Sequence, residues 1–264
     1  MMMKQFSCTH FGSSGFTLVE IMIGMFVGLF VIGGTISYYS ASTGNSADIV
    51  RMARLHQDLG AISHIIAGEV RRAGYWGGGP GLDNPFMQPP YLLAISVNSG
   101  ATCLSYSYDY NGANPNGTLD TTGDVFGMFR YDVTNRAIEM YKRVNSAGTG
   151  ANFTCTNSAA SDWEDITDPT VIEVTAFSAD FVGSRCANTE TGGGNWQSVT
   201  VGDTTLPCDT NSVARSVGDK MVESRYVNFS ITARLVSDNS VTLTLSESVA
   251  VANNRTFYAT AAVP

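Results

Sequence analysis

Charge is scarce in this chain. Asp, Glu, Lys and Arg make up 14% of its 264 residues, against roughly a quarter in typical soluble domains, and Ser, Thr, Asn and Gly fill the gap, a composition common in exported β-rich proteins. The net charge is -8 and no basic cluster is longer than Arg71-Arg72, so the footprint needed to neutralise a phosphate backbone is missing. The folded body is therefore not expected to bind nucleic acid. There are only three histidines. His10 lies near the start, and His56 and His64 fall two turns apart on a helix, too far to share one metal. No G-x-S-x-G elbow, P-loop or C-x-x-C spacing occurs. The glycines between Gly77 and Gly81 follow a helical pattern and include Pro80, which contradicts a dinucleotide fingerprint. The oxygen-rich run Asp109, Asn111, Asn114, Asn116, Asp120 and Asp124 departs from EF-hand spacing and lacks its closing Glu; it reads as an Asn/Gly loop. No catalytic, cofactor-binding or metal site is expected, and the chain is not read as an enzyme.

What is present is concentrated at the N-terminus. Residues 1–15 are short, with one basic residue, Lys4, and end on Gly12-Ser13-Ser14-Gly15. From Phe16 to Ala41 the chain carries one charge, Glu20, and is long enough as a helix, at about 1.5 Å per residue, to cross a hydrocarbon core of roughly 30 Å. Tyr38 and Tyr39 stand at its far end, where amphipathic rings favour the headgroup boundary. A secretory signal cleaved near Ser40-Ala41-Ser42 is the competing reading. The apolar run Ile21–Ile36 already reaches the upper limit of an h-region, and a carboxylate near its start is foreign to that design. A membrane helix is therefore preferred. Glu20 then needs a partner, because an ionised carboxylate at the bilayer centre costs about 2.5–3.5 kcal/mol even on insertion scales. A cut between Gly15 and Phe16 would create one: the new α-amino group of a neighbouring subunit.

The run Gly15-Phe16-Thr17-Leu18-Val19-Glu20, followed by its apolar helix, resembles the type IV prepilin cleavage motif. The resemblance implies that prepilin peptidase removes residues 1–15 and methylates the amine of Phe16. It also implies that Glu20 pairs with the N-terminus of an adjacent subunit, with the leader cytoplasmic and the body periplasmic. The motif is shared by pilins and by the pseudopilins of secretion and competence systems.

Beyond the membrane segment, Met52, Leu55, Leu59, Ile62, Ile66, Val70 and Ala73 recur at helical spacing, and Arg71, Arg72 and Gly74 mark the end. Unbroken from Phe16 to Ala73, the helix would be roughly 85–90 Å long, with Gly33-Gly34 the place for bending or close helix packing. After the breaker at residues 75–81 the pattern is β. Strands are expected at Tyr91–Val97, Cys103–Tyr108, Asp124–Tyr131, Ala137–Arg143, Val171–Phe181, Arg225–Val236 and Val241–Val251, the last two a hairpin turning at Ser237-Asp238-Asn239-Ser240. The fold class is α+β, a long N-terminal helix on an antiparallel β-rich body. Its segments are a leader (1–15), a membrane and polymerisation helix (16–41), a helix continuation packed on the body (42–74) and a periplasmic domain (75–264).

Removing residues 1–15 removes Cys8 and leaves Cys103, Cys155, Cys186 and Cys208, an even set suited to structural disulfides in an oxidising compartment. Three pairings are possible; the sequential one closes the shorter loops. Trp163 and Trp196 sit in long connections, where partner contact and core packing are both open readings. Arg71-Arg72-Ala73-Gly74-Tyr75-Trp76-Gly77, Ala233-Arg234-Leu235-Val236-Ser237 and Arg255-Thr256-Phe257 resemble blocks of the PilW minor pilins. That likeness implies a non-enzymatic subunit of the inner membrane and pilus, involved in pilus initiation, twitching motility and adhesion. Its implied partners are other minor pilins, the major pilin, the assembly platform and prepilin peptidase. The alternatives are a GspJ-like minor pseudopilin of type II secretion and a tip-displayed binding module.

Overall fold

The computed structural model describes residues 15–78, 84–87, 95–110, 116–119, 123–144, 155, 162–190, 197–198, 204–209 and 213–262. Helix α1 runs Leu18–Arg72, 55 residues, with no break at Gly33-Gly34. Just past that pair, the Thr35 hydroxyl donates to the carbonyls of Val31 (3.0 Å) and Ile32 (2.8 Å). The helix ends where Gly74 takes a φ of 71°, the left-handed cap that glycine adopts without a Cβ penalty.

Two compact units divide the chain, one up to Val50 and one from Arg51 onward. In the first, the large apolar side chains from Phe16 to Ile36 are exposed. An 18-residue window there has a mean hydropathy of 2.1 with none of it buried, long and apolar enough to cross a membrane.

In the second unit, Leu55, Leu59, Ile62, Ile66, Val70 and Ala73 are buried in one core with residues of the β-sheets. Met52, on the same stripe by spacing, is 39% exposed; periodicity fixes a face, but only a facing element buries it. A five-stranded antiparallel sheet has the order β1 (Ile95–Val97), β2 (Cys103–Tyr108), β3 (Val125–Asp132), β4 (Ala137–Val144), β5 (Glu164–Asp165). A three-stranded sheet places β10 (Tyr226–Leu235) between β6 (Ile172–Asp180) and β11 (Asp238–Ala250). A four-stranded sheet has the order β12 (Arg255–Tyr258), β9 (Lys220–Ser224), β7 (Arg185–Asn188), β8 (Gln197–Ser198). The first two sheets follow the predicted strands closely apart from β5, which was not expected, and residues 91–94 lie outside the described set. The final hairpin turns earlier than predicted: Leu235 pairs with Asp238 across Val236-Ser237, and a register shift follows. The Asp238 carboxylate accepts the Ser240 amide (3.1 Å) and hydroxyl (2.6 Å), drawing the expected turn residues into the strand.

Gly127 answers a packing demand in β3. It faces Tyr106 across the ladder, and a Cβ there would lie 2.1 Å from the tyrosine ring. The ring crosses the space that glycine leaves, stacking on Phe129 with centroids 5.4 Å apart. Disulfides join Cys103 to Cys155 and Cys186 to Cys208, with Cα–Cα distances of 6.3 and 5.2 Å. The first ties β2 to the connection after β4, and the second ties β7 to a 3-10 turn at Pro207–Asp209.

Candidate assembly site

Gly15 and Phe16 immediately precede α1, with the Phe16 side chain 81% exposed. Thr17 is the N-cap. Its hydroxyl accepts the Glu20 amide (3.3 Å), while the Glu20 carboxylate accepts the Thr17 amide (3.4 Å). That reciprocal pair is a capping box, T-x-x-E, and it satisfies amides that the first turn leaves without helical partners. Glu20 thus has a local role inside its own chain. Its carboxylate also lies in the first turn, where the helix dipole favours negative charge. From Ile21 to Ala47 no charged residue follows, so chemistry on this part of the helix is confined to its first turn.

The body's polar groups tie elements together. Asp109 sits beyond the helix end; its carboxylate accepts the amides of Gly77 (3.1 Å), Asn116 (3.4 Å) and Gly117 (2.8 Å). The Asp109 carboxylate thus holds two loops together. Asn111, Asn114 and Asp120 lie outside the described residues. Among the described residues no group of three His, Cys, Asp or Glu side chains is placed to hold a metal. His56 and His64 are exposed. Trp163 packs with Met128, Tyr141 and the Cys103–Cys155 disulfide, and the Arg130 guanidinium lies 3.9 Å from its ring centroid. Trp196 lies outside the described residues.

On the helix, Glu69 is buried and accepts the Tyr108 hydroxyl at 2.9 Å and Arg72 at 3.2 Å. Glu247 of β11 meets Ser63 and, at 3.6 Å, Arg71. Burial, reinforced by the Glu69 charge, raises the phenol pKa values of Tyr106 and Tyr108.

A second cluster escaped the sequence reading. Glu223 and Arg255 face each other across β9 and β12 at inward positions and are 0% and 3% exposed on their side chains, with a 3.3 Å contact. Arg255 also reaches Asp209 at 2.7 Å and the Met87 carbonyl at 3.2 Å, and Glu223 accepts the Cys208 amide at 2.9 Å. Fully buried Arg225 donates to the Asn253 carbonyl at 2.7 Å. Burial pushes the Arg225 pKa down to about 10 and raises that of Glu223, against the pull of the neighbouring guanidiniums. Glu223 and Arg255 occupy inward strand positions, and that explains the missed third sheet: they break the apolar alternation by which a half-buried strand is recognised. The alternation of Arg255 with Phe257 was the available signal.

Against known proteins, residues 48–251 match the family model described as Prepilin peptidase-dependent protein B. No curated protein and no solved structure matches the chain.

Proposed function

Because this chain belongs to the prepilin peptidase-dependent protein B family, we propose that it is a minor pilin of the PilW type, made as a prepilin, anchored in the inner membrane and incorporated into a type IV pilus. One observation carries the reading: Gly15-Phe16-Thr17-Leu18-Val19-Glu20 stands at the start of an exposed apolar helix, upstream of the matched region. Cleavage after Gly15 frees the Phe16 amine, which is then methylated, and Glu20 pairs with that amine on an adjacent subunit. Within one chain Glu20 closes the capping box; between chains the same carboxylate sets the assembly register. The body performs no chemistry. It is periplasmic, where Cys103–Cys155 and Cys186–Cys208 form under oxidising conditions, and its partners are other minor pilins, the major pilin and the assembly platform.

The test is N-terminal peptide mass spectrometry on protein from membranes or sheared fibres, in hosts with and without prepilin peptidase. The expected result is a methylated Phe16 terminus that disappears without the peptidase. A terminus near Thr43 in both hosts would end the pilin reading. The exposed helix serves a type II secretion pseudopilus equally well, so the machine is decided by deletion: loss of pili or twitching for the pilus, loss of exoprotein secretion for the pseudopilus.

A further inference from the structure

The two disulfides lie in different surroundings. Cys186 and Cys208 are 0% and 2% exposed and share a closed apolar cluster with Val213, Met221, Phe257 and Ala259. Cys186 pairs with Glu223 across β7 and β9, and the Glu223 carboxylate accepts the Cys208 amide, so this bond is walled in by the buried ionic cluster as well. Cys103 opens β2 and is also buried, but its partner Cys155 is half-buried and packs at the margin of the cluster formed by Met128, Tyr141 and Trp163. One disulfide is thus enclosed at both ends, and the other has one end near the surface.

Exchange with an external thiol begins when a thiolate reaches one of the two sulfurs, and its rate depends on that access and on how well the departing thiolate is stabilised. At Cys186–Cys208 an approach requires the four-stranded sheet to open. At Cys103–Cys155 it comes from the Cys155 side. Cys103 faces Arg130 across β2 and β3, and that guanidinium donates to the Cys155 carbonyl at 3.5 Å while Glu139 holds it at 2.6 Å. A cation so placed favours a departing Cys103 thiolate. Cationic groups stand near the other disulfide too, Arg215 on the Cys208 carbonyl and Arg255 on Glu223, so access is what separates the two. We propose that Cys103–Cys155 is a redox-sensitive clasp on the five-stranded sheet, opened by a dithiol reductant while Cys186–Cys208 stays closed. One reductant thiolate attacks the Cys155 sulfur and forms a mixed disulfide, and the electron pair of the broken bond leaves on Cys103. The second reductant thiolate then attacks the reductant's own sulfur in that mixed disulfide and releases Cys155. Two electrons pass to the cysteines, each of which takes up a proton lost by a reductant thiol, and the reductant departs as its disulfide. Opening unties Cys155 from β2 and loosens the packing over Trp163, while the ladders from β1 to β5 remain.

The test is timed reduction of the full-length, folded protein in detergent by dithiothreitol. The Cys8 thiol is first blocked with N-ethylmaleimide, thiols freed later are trapped with the deuterated reagent, and peptide mass spectrometry assigns them. Cys103 and Cys155 are expected to be trapped together, on the order of tenfold faster than Cys186 and Cys208. Tryptophan emission should shift to the red in step with that trapping while far-ultraviolet circular dichroism is unchanged, and Trp163→Phe should abolish the shift without altering the order of trapping. The Cys103→Ser/Cys155→Ser variant should show wild-type circular dichroism and the same slow trapping of Cys186 and Cys208. Equal rates at the two disulfides, or earlier loss of Cys186–Cys208, would overturn the proposal, because reduction would then follow opening of the whole body. Selective trapping with no change in Trp163 emission would overturn it as well, since the bond would then clasp nothing. Peptidase dependence of the N-terminus is a separate readout, so failure here leaves the pilin reading standing.

Discussion

Replacing Arg255 by Met should cost the body a large part of its stability, and Glu223→Gln should cost less in that background than it does alone. The native cluster holds two guanidiniums, Arg225 and Arg255, and two carboxylates, Glu223 and Asp209, so it is neutral. Arg255→Met leaves the wholly buried Glu223 carboxylate with the Cys208 amide and a more distant Arg225. Breaking a buried pair from one side costs about 3–5 kcal/mol, out of a total that is typically about 5–15 kcal/mol. Glu223→Gln alone keeps an acceptor for Cys208 but leaves two guanidiniums facing one carboxylate. The double variant is neutral again, with Arg225 and Asp209 remaining. Its loss should fall short of the sum of the single losses by about 2 kcal/mol, within the range of couplings between contacting residues. Urea unfolding of the full-length protein in detergent reads this through Trp76 and Trp163, both within the body. A loss below about 1 kcal/mol for Arg255→Met, the scale of an exposed pair, or strict additivity in the double variant, would refute the account of a buried, mutually dependent cluster.

Three further outcomes follow from the packing. Gly127→Ala forces a Cβ against the Tyr106 ring at 2.1 Å and should destabilise the body by about 1–3 kcal/mol, the range for overpacked cores; pairing it with Tyr106→Ala should relieve most of the clash, as thermal melts would show. Loss of the Cys186–Cys208 disulfide, with a sequence separation of 22, should cost about 3 kcal/mol by chain entropy, seen as a lower urea midpoint for Cys186→Ser/Cys208→Ser; an unchanged midpoint would deny the link a stabilising role. Tyr106 and Tyr108 have raised pKa values in the folded state against an ordinary 10.0. Above pH 10 the unfolded chain releases these protons while the folded chain retains them, so their contribution is complete below that pH and is lost as pH rises further. Tyr108→Phe should flatten the alkaline limb of a pH-dependent unfolding series, and an unchanged slope would remove Tyr108 from the account.

The parts of the fold that could be read in advance are those where one residue property repeats at one period. The helix was visible as an uninterrupted apolar run followed by a stripe at three- and four-residue spacing, closed by Arg71, Arg72 and Gly74. Strands β2, β3, β4, β6, β10 and β11 show runs or alternation of apolar residues with turn residues between them. Two kinds of information were hidden. The four-stranded sheet assembles short strands whose inward positions include Glu223 and Arg255, so its pattern becomes intelligible only when both strands are side by side. The roles of Glu69, Asp109 and Glu247 depend on partners far along the chain, which spacing does not encode. Thr17-Leu18-Val19-Glu20, by contrast, carries its capping box openly in four residues.

That contrast bears on why so few charges suffice. In the body, Glu69, Glu247, Asp109 and Glu223 each hold one element to another, and most of these groups are buried, where an unpartnered charge is most costly. Such charges have little capacity left for recognising a neighbour. On the helix up to Val50, Glu20 and Asp48 are the charged residues, and of these only Glu20 lies within the apolar stretch. In water its capping contacts are worth little, being long and exposed. In a bilayer they become the carboxylate's local shelter, and an ammonium from an adjacent chain would shelter it better, since a charge-assisted pair is about twice as strong as a neutral hydrogen bond. On the proposed reading, assembly exchanges the weaker partner for the stronger one. Thr17→Val removes only the hydroxyl contacts and should leave assembly intact, whereas Glu20→Ala removes the acceptor in both states and should abolish it; incorporation into sheared fibres separates the two. Equal loss in both variants would mean that the cap, and not the intersubunit pair, is what assembly requires.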